Sequence, residues 1–213
     1  MIVTVTQSEP SEQDLFFVLD VESVGLYGEG FAVGWVVIDM NGKEHESGLF
    51  VSNWQDCDSD INASTNHWLK KNLPLMAITH QLKADLRMDF FNVLQRWLPN
   101  GDNKNHSKAS SVWADWGYPV EAQFLIQCRN AAYRERMGEA DPSWLMPTPL
   151  HEVATICLAA GVEPEAYPRL ASELPEHNPL NDARYSARLL VTAIIRLRET
   201  QKLAVKGILG GMQ

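Results

Sequence analysis

The chain opens its structured part with five consecutive apolar residues, Leu15–Leu19 (LFFVL), which predicts a strand buried on both faces. Gly30–Asp39 (GFAVGWVVID) predicts a second strand, rich in β-formers. Asn41-Gly42 then tolerates the positive φ of a tight hairpin, and Glu44–Ser52 returns as a third, more polar strand towards a sheet edge. The pattern then changes period. Asn66–Leu73 predicts a helix stopped by Pro74, and His80–Leu98 places Leu82, Leu86, Phe90, Leu94 and Trp97 on one amphipathic face that ends at Pro99. A polar loop over Asn100–Ser110, carrying Lys104 and Lys108, is followed by a short strand, Ser111–Asp115, and a helix over Val120–Met137. The segment LHEVATICLAAG mixes strand and helix signals, and Asn181–Leu203 predicts a long final helix capped by Asn181. Three antiparallel strands followed by alternating helix and strand predict one α/β domain, with its core over about residues 15–203.

Composition narrows the function classes. A chain of 213 residues with 45% hydrophobic content fills a proper core. The formal charge of -9 argues against a broad basic face that coats duplex nucleic acid, but leaves room for an enzyme that holds its substrate locally through metal ions. Three scattered cysteines, Cys57, Cys128 and Cys157, make neither a disulfide framework nor a zinc site and suit a reducing cytoplasm. The N-terminus lacks the basic start and apolar run of a signal peptide, and no window nears the ~18 apolar residues of a membrane span. A cytoplasmic protein with no membrane partner is expected.

Against that background the acids stand out. The first strand runs directly into Asp20 and Glu22, which alternation puts on one face with Val21 turned away. Like charges so placed repel unless a cation lies between them, and hard divalent ions prefer carboxylate oxygens. Taken alone, D-x-E is common, and two solvated carboxylates are its plain explanation. Asp115 closes the fourth strand between two tryptophans, and Glu121 opens the next helix, where the helix dipole alone favours an acid. His177 and Asp182 form a His-x4-Asp element, with Pro179 stiffening the turn before the last helix. His80 and Asp85 share that spacing but lie in a Leu/Phe-periodic segment with no preceding turn, and are read as incidental.

In this order and context, these elements resemble the DEDDh-type 3′–5′ exonuclease superfamily, the group of RNase T, oligoribonuclease and polymerase proofreading subunits. The resemblance spans roughly Leu15 to Leu203. Asp20 and Glu22 in FFVLDVESVGL match its first motif, and His177 and Asp182 in HNPLNDARYSARLL match its third. The middle motif departs from the pattern. The usual helix-start Asp, four residues before a Leu, falls on Glu121 ahead of Leu125, while the nearby Asp is Asp115. Asp115 is the first candidate, because a parallel pairing would set its strand end beside that of Asp20. Glu121 is the alternative.

The resemblance implies an RNase H-like mixed sheet, an antiparallel three-strand meander plus parallel strands, flanked by helices. It further implies stepwise release of nucleoside 5′-monophosphates from the 3′ end of single-stranded RNA or DNA. Two Mg²⁺ or Mn²⁺ ions would be held by Asp20, Glu22, Asp182 and the middle carboxylate, with His177 taking the proton from water, a role suited to imidazole. Gly25, Leu26, Tyr27 and Asn178 are the candidate substrate contacts, with Trp116 and Tyr118 as further stacking candidates. Homodimerisation, common in that group, is compatible with the aromatic content. The alternative reading is a catalytically impaired nucleic-acid or nucleotide-binding module on the same fold, supported by the anomalous middle motif.

Overall fold

A computed structural model describes residues 14–57, 63–98, 109–135 and 149–210. Strands β1 (Leu15–Ser23), β2 (Gly30–Asp39), β3 (Glu44–Val51), β4 (Ala109–Ala114) and β5 (Leu150–Glu152) form one sheet in the order β3-β2-β1-β4-β5. The first three pair antiparallel, whereas β1–β4 and β4–β5 are parallel, which is the expected mixed sheet. Asp39 organises the β2–β3 turn by accepting the Asn41 and Lys43 backbone N–H groups, and Gly42 supplies the positive φ of 75°.

Because β1 is central, its two faces bury different layers. Leu15, Phe17, Leu19 and Val21 pack with Leu86, Phe90 and Leu94 of α2 (Lys83–Trp97) and with Phe124, Leu125 and Cys128 of α3 (Ala122–Glu135). Phe16 and Val18 face Val153 and Cys157 of α4 (Val153–Ala160) and Ala183, Ala187 and Leu190 of α5 (Pro179–Gly210). Burying one such large side chain stabilises the fold by about 1.5–3 kcal/mol. The remaining helix, α1 (Ala63–Asn72), is anchored by its single buried residue, Leu69, against Val24, Phe31 and Val51.

Several boundaries move, for local reasons. α2 begins at Lys83, because His80 is committed to an extended segment where its backbone N–H and that of Thr79 both bond Val51 O. β4 starts at Ala109, inside the predicted loop; residues 99–108, with Lys104 and Lys108, lie outside the described residues. The mixed signal of LHEVATICLAAG resolves into both elements, β5 and then α4. The last helix starts at Pro179, and its cap is Asn178 rather than Asn181: the Asn178 side-chain oxygen accepts the N–H groups of Leu180 and Asn181 at 3.1 and 3.4 Å. His80 bonds Thr79 and Asp89, not Asp85, so the decoy spacing is indeed without meaning. Cys128 and Cys157 are buried thiols. Among the described residues no helix is long and apolar enough to cross a membrane.

One glycine decides how α5 meets the sheet. Gly34 pairs directly with Asp20 across the β1–β2 ladder, and a Cβ there would stand 2.1 Å from the Leu180 backbone N and 2.2 Å from the Pro179 carbonyl carbon. Only a bare backbone lets the head of α5 settle on the strand beside Asp20. Backbone cannot swing aside as a side chain can, so Gly34→Ala is expected to cost about 3 kcal/mol, at the upper end of overpacking effects. Thermal denaturation should show a midpoint lower by roughly 6–12 °C. An unchanged midpoint would mean that α5 does not bear on β2 at this point.

Candidate active site

The centre lies where the C-terminal ends of β1 and β4 meet the head of α5. Parallel pairing of β1 with β4 runs through Leu19↔Ala114, so Asp20 and Asp115 follow at adjacent strand ends. Alternation puts Asp20, Glu22 and Asp115 on the face that carries Trp113 and α5. His177 and Asp182 arrive through a short motif at the head of α5. The Asp182 backbone N–H donates to Asn178 O at 2.9 Å, closing the turn that carries His177. His177 has φ 59°, a left-handed conformation uncommon outside glycine and held by this surrounding structure. Ligand atoms of Glu22, His177 and Asp182 all lie within 4.8 Å of one another. His177 Nδ1 is 3.6 Å from Glu22 Oε1.

Glu121 reaches the same place by a different route. A π-turn at Gly117–Glu121, interrupted by the extended Tyr118, sets it at the head of α3, whose apolar face packs on the opposite side of the sheet. It is buried, and its charge acts on Asp20 and Glu22. Glu152 fixes the turn by accepting the Gly117 N–H at 3.1 Å.

Electrostatically the site is an excess of negative charge. Burial, then Asp182, Glu22, Glu121 and Asp115, all push the Asp20 carboxyl well above the ordinary carboxylate range. Burial together with Asp182 and Glu121 pushes Glu22 up to about 8, and burial with Asp115 and Glu152 pushes Glu121 up to about 7, against the lowering pull of the Val21 and Glu121 backbone. Asp115 is raised by burial and Asp182 but eased by Arg169. Asp182 is raised by burial, against the opposing pull of Arg169 and His177. Oxygen-rich, mutually repelling donors of this kind are what a hard divalent cation requires, and the donor set fits such an ion.

No family model and no curated protein sequence matches the chain. Solved structures do. An exonuclease I, described as suggesting how processivity is achieved, is similar over 84% of this chain and 40% of its own, with 13% identity and a TM-score of 0.53. The chain is similar to exonuclease I in fold. The zinc-bound form of the E. coli exonuclease I–single-stranded DNA complex covers 93% of this chain and 43% of its own at 14% identity and TM-score 0.50. The metal-free form of that complex covers 90% and 44% at 12% identity and the same TM-score. The chain thus spans less than half the length of these structures.

The candidate substrate residues are placed as follows. Gly25 has φ 80°, a conformation that favours glycine, and Leu26 and Tyr27 beyond it are 66% and 74% exposed, so neither is a core residue. Tyr27 meets Tyr118 edge to face at 6.4 Å, and Trp116 is exposed. Asn178 has its side-chain oxygen committed to the α5 cap. Two residues of the site went unnoticed in the sequence. Trp68 of α1 packs its ring edge to face on His177 at 4.9 Å. Arg169 places Nη1 2.6 Å from Asp182 Oδ1. Neither stands in a recognisable motif, and only the closing of distant segments over the strand ends reveals them.

Proposed function

We propose that the protein is a metal-dependent 3′-to-5′ exonuclease that releases nucleoside 5′-monophosphates from single-stranded nucleic acid. The observation that carries this reading is the meeting of Glu22, His177 and Asp182, whose ligand atoms lie within 4.8 Å of one another, with Asp20 on the same face of β1 and the charges of Glu121 and Asp115 acting on it. The similarity in fold to exonuclease I supports it. Asp20, Glu22, Asp182 and a middle carboxylate would hold two divalent ions, Mg²⁺ or Mn²⁺. When bound, these supply positive charge to the scissile phosphate and to the departing oxygen.

The chain's own groups do the rest. His177, 3.6 Å from Glu22 and on an exposed loop, accepts the proton of the attacking water as the P–O3′ bond breaks. Glu22 lies on the Nδ1 side of the imidazole and stabilises the imidazolium that results. Gly25 lets the backbone approach the terminal nucleotide, and the exposed Leu26, Tyr27, Tyr118 and Trp116 offer surfaces on which bases stack. A net-acidic chain suits this arrangement, because the phosphate is attracted locally rather than by a basic surface.

For the middle position, the order of influences favours Glu121. Its charge acts on both Asp20 and Glu22, whereas Asp115 acts on Asp20 most weakly of the four and is not among the influences on Glu22. Glu121→Gln is therefore expected to lower kcat/KM roughly a hundredfold, about 2.7 kcal/mol, and Asp115→Asn only about tenfold. The reverse order would give the role to Asp115.

The decisive assay incubates the protein with 5′-labelled single-stranded RNA and DNA and Mn²⁺. A ladder shortening by single nucleotides from the 3′ end, lost in His177→Ala, is expected. Internal cuts, or activity surviving that substitution, would overturn the reading. Binding without cleavage would favour the impaired-module alternative.

A further inference from the structure

Arg169 lies on the segment that crosses from α4 to α5, eight residues before His177, and it is held from several directions at once. Nη1 donates to Asp182 Oδ1 at 2.6 Å and to Glu173 O at 3.2 Å, and Nε lies 3.3 Å from Glu176 Oε1. Its Cζ stands 4.3 Å from the centroid of the Tyr185 ring, a cation–π contact. The segment that carries it is itself fastened to α5. Arg188 makes two 2.7 Å bonds to the buried Glu173 carboxylate and a third, at 3.0 Å, to Pro168 O, while the Leu170 N–H closes on Glu173 Oε2 at 2.7 Å.

A guanidinium beside a metal ligand can play one of two parts. It can be a stand-in cation that a metal ion displaces, or a fixed group that orients the ligand. Displacement would require Arg169 to withdraw, yet three of its four contacts are to Glu173, Glu176 and Tyr185 and would persist after Asp182 was lost. A planar fork so pinned has little freedom to leave. Asp182 also has no need to release it, because a carboxylate has about four lone-pair sites and this contact uses one.

We propose that Arg169 is a positioning residue: it stays bonded to Asp182 Oδ1 when a divalent ion binds, and holds that carboxylate in its ligand orientation. This rests on the function proposed above. Removing such a partner of a metal ligand commonly weakens the metal by about 10- to 100-fold.

The test is a calorimetric Mn²⁺ titration of the wild-type chain, Arg169→Gln and Arg169→Lys, with circular dichroism and melting in EDTA to establish folding. Arg169→Gln is expected to bind Mn²⁺ about 10- to 100-fold more weakly, with Arg169→Lys in between. On a single-stranded oligonucleotide kcat should fall, while KM stays within about twofold. Binding of Mn²⁺ by Arg169→Gln as tight as wild type, or tighter, would overturn the proposal and make Arg169 a bystander or a competing cation. A raised KM at unchanged kcat would overturn it in favour of a substrate-phosphate contact. Should Arg169→Gln fail to fold, Arg169→Lys decides by the same criteria. A wild-type chain that binds no Mn²⁺ would overturn the proposed function and this inference together, whereas unchanged binding in the variants alone removes only the latter.

Discussion

Asp20→Asn is expected to abolish nuclease activity and, at the same time, to make the metal-free protein more stable. The two effects have one cause. Asp20 stands within β1, where the two residues before it on the same face, Phe16 and Val18, are buried in the core, so its position is rigid. Around it stand four other carboxylates, and burial adds to their repulsion. A neutral amide of the same shape relieves that repulsion but cannot bind a divalent ion as a carboxylate does. Loss of a ligand shared by the metal centre removes several kcal/mol of transition-state stabilisation, hence about a thousandfold or more in rate. The gain in stability should be about 1–3 kcal/mol, or roughly 2–12 °C in melting temperature, measured in EDTA at pH 8. The gain should shrink as the pH falls, because a carboxyl raised in this way takes up its proton more readily than an ordinary one. A metal-free variant that melts at or below the wild-type temperature at pH 8 would show that Asp20 is no centre of repulsion. Retained activity would remove it from the site altogether.

The strand carrying Asp20 and Glu22 was legible because both its signals are local: five apolar residues in sequence, then two acids at alternating positions. The His-x4-Asp element was legible for the same reason, since the turn and cap that close it lie within six residues. The meander and edge strand followed from the Asn-Gly turn and the polarity of β3. What escaped depended on distance. Asn178 rather than Asn181 caps α5, because Pro179 serves as the first helical residue, for which its fixed φ is suited. The role of Gly34 exists only where Pro179 and Leu180, some 145 residues later, come down on it. Arg169 and Trp68 have no sequence signature, since each acquires a partner only when the segment before α5 and the α1 helix close over the strand ends. The middle carboxylate stayed ambiguous for a related reason. Asp115 is in register with Asp20 through the sheet, while Glu121 arrives from the opposite layer by way of the π-turn, which a helical repeat does not foretell.

Stability in the absence of metal should fall as the pH rises from about 5 to 8, the reverse of ordinary acid denaturation. A carboxyl whose pKa is raised by folding binds its proton more tightly in the native state. Its contribution is therefore fully present below the unfolded value and is lost as the pH climbs through the folded one. For Glu22 and Glu121 that window runs from 4.5 to about 8 and to about 7, and Asp20, Asp115 and Asp182 are shifted in the same direction. Glu22 alone would cost on the order of 4 kcal/mol by pH 8, equivalent to roughly 8–16 °C in melting temperature. Asp39, Glu44 and Glu173 are shifted the other way, chiefly by bonds from His45, Arg184 and Arg188, so their contributions are lost only in more acid solution and do not mask the trend. Saturating Mn²⁺ or Mg²⁺ should flatten the profile, because ions bind the deprotonated carboxylates and release their protons. The stabilisation by metal should thus be small at pH 5 and reach about 3 kcal/mol or more at pH 8 when the ion is at a hundred times its Kd. Melting curves at pH 5, 6, 7 and 8, in EDTA and in Mn²⁺, measure both effects, and Glu22→Gln should weaken the pH dependence in EDTA. A metal-free melting temperature that holds level or rises over this range would mean that the carboxylates do not repel one another as their positions require.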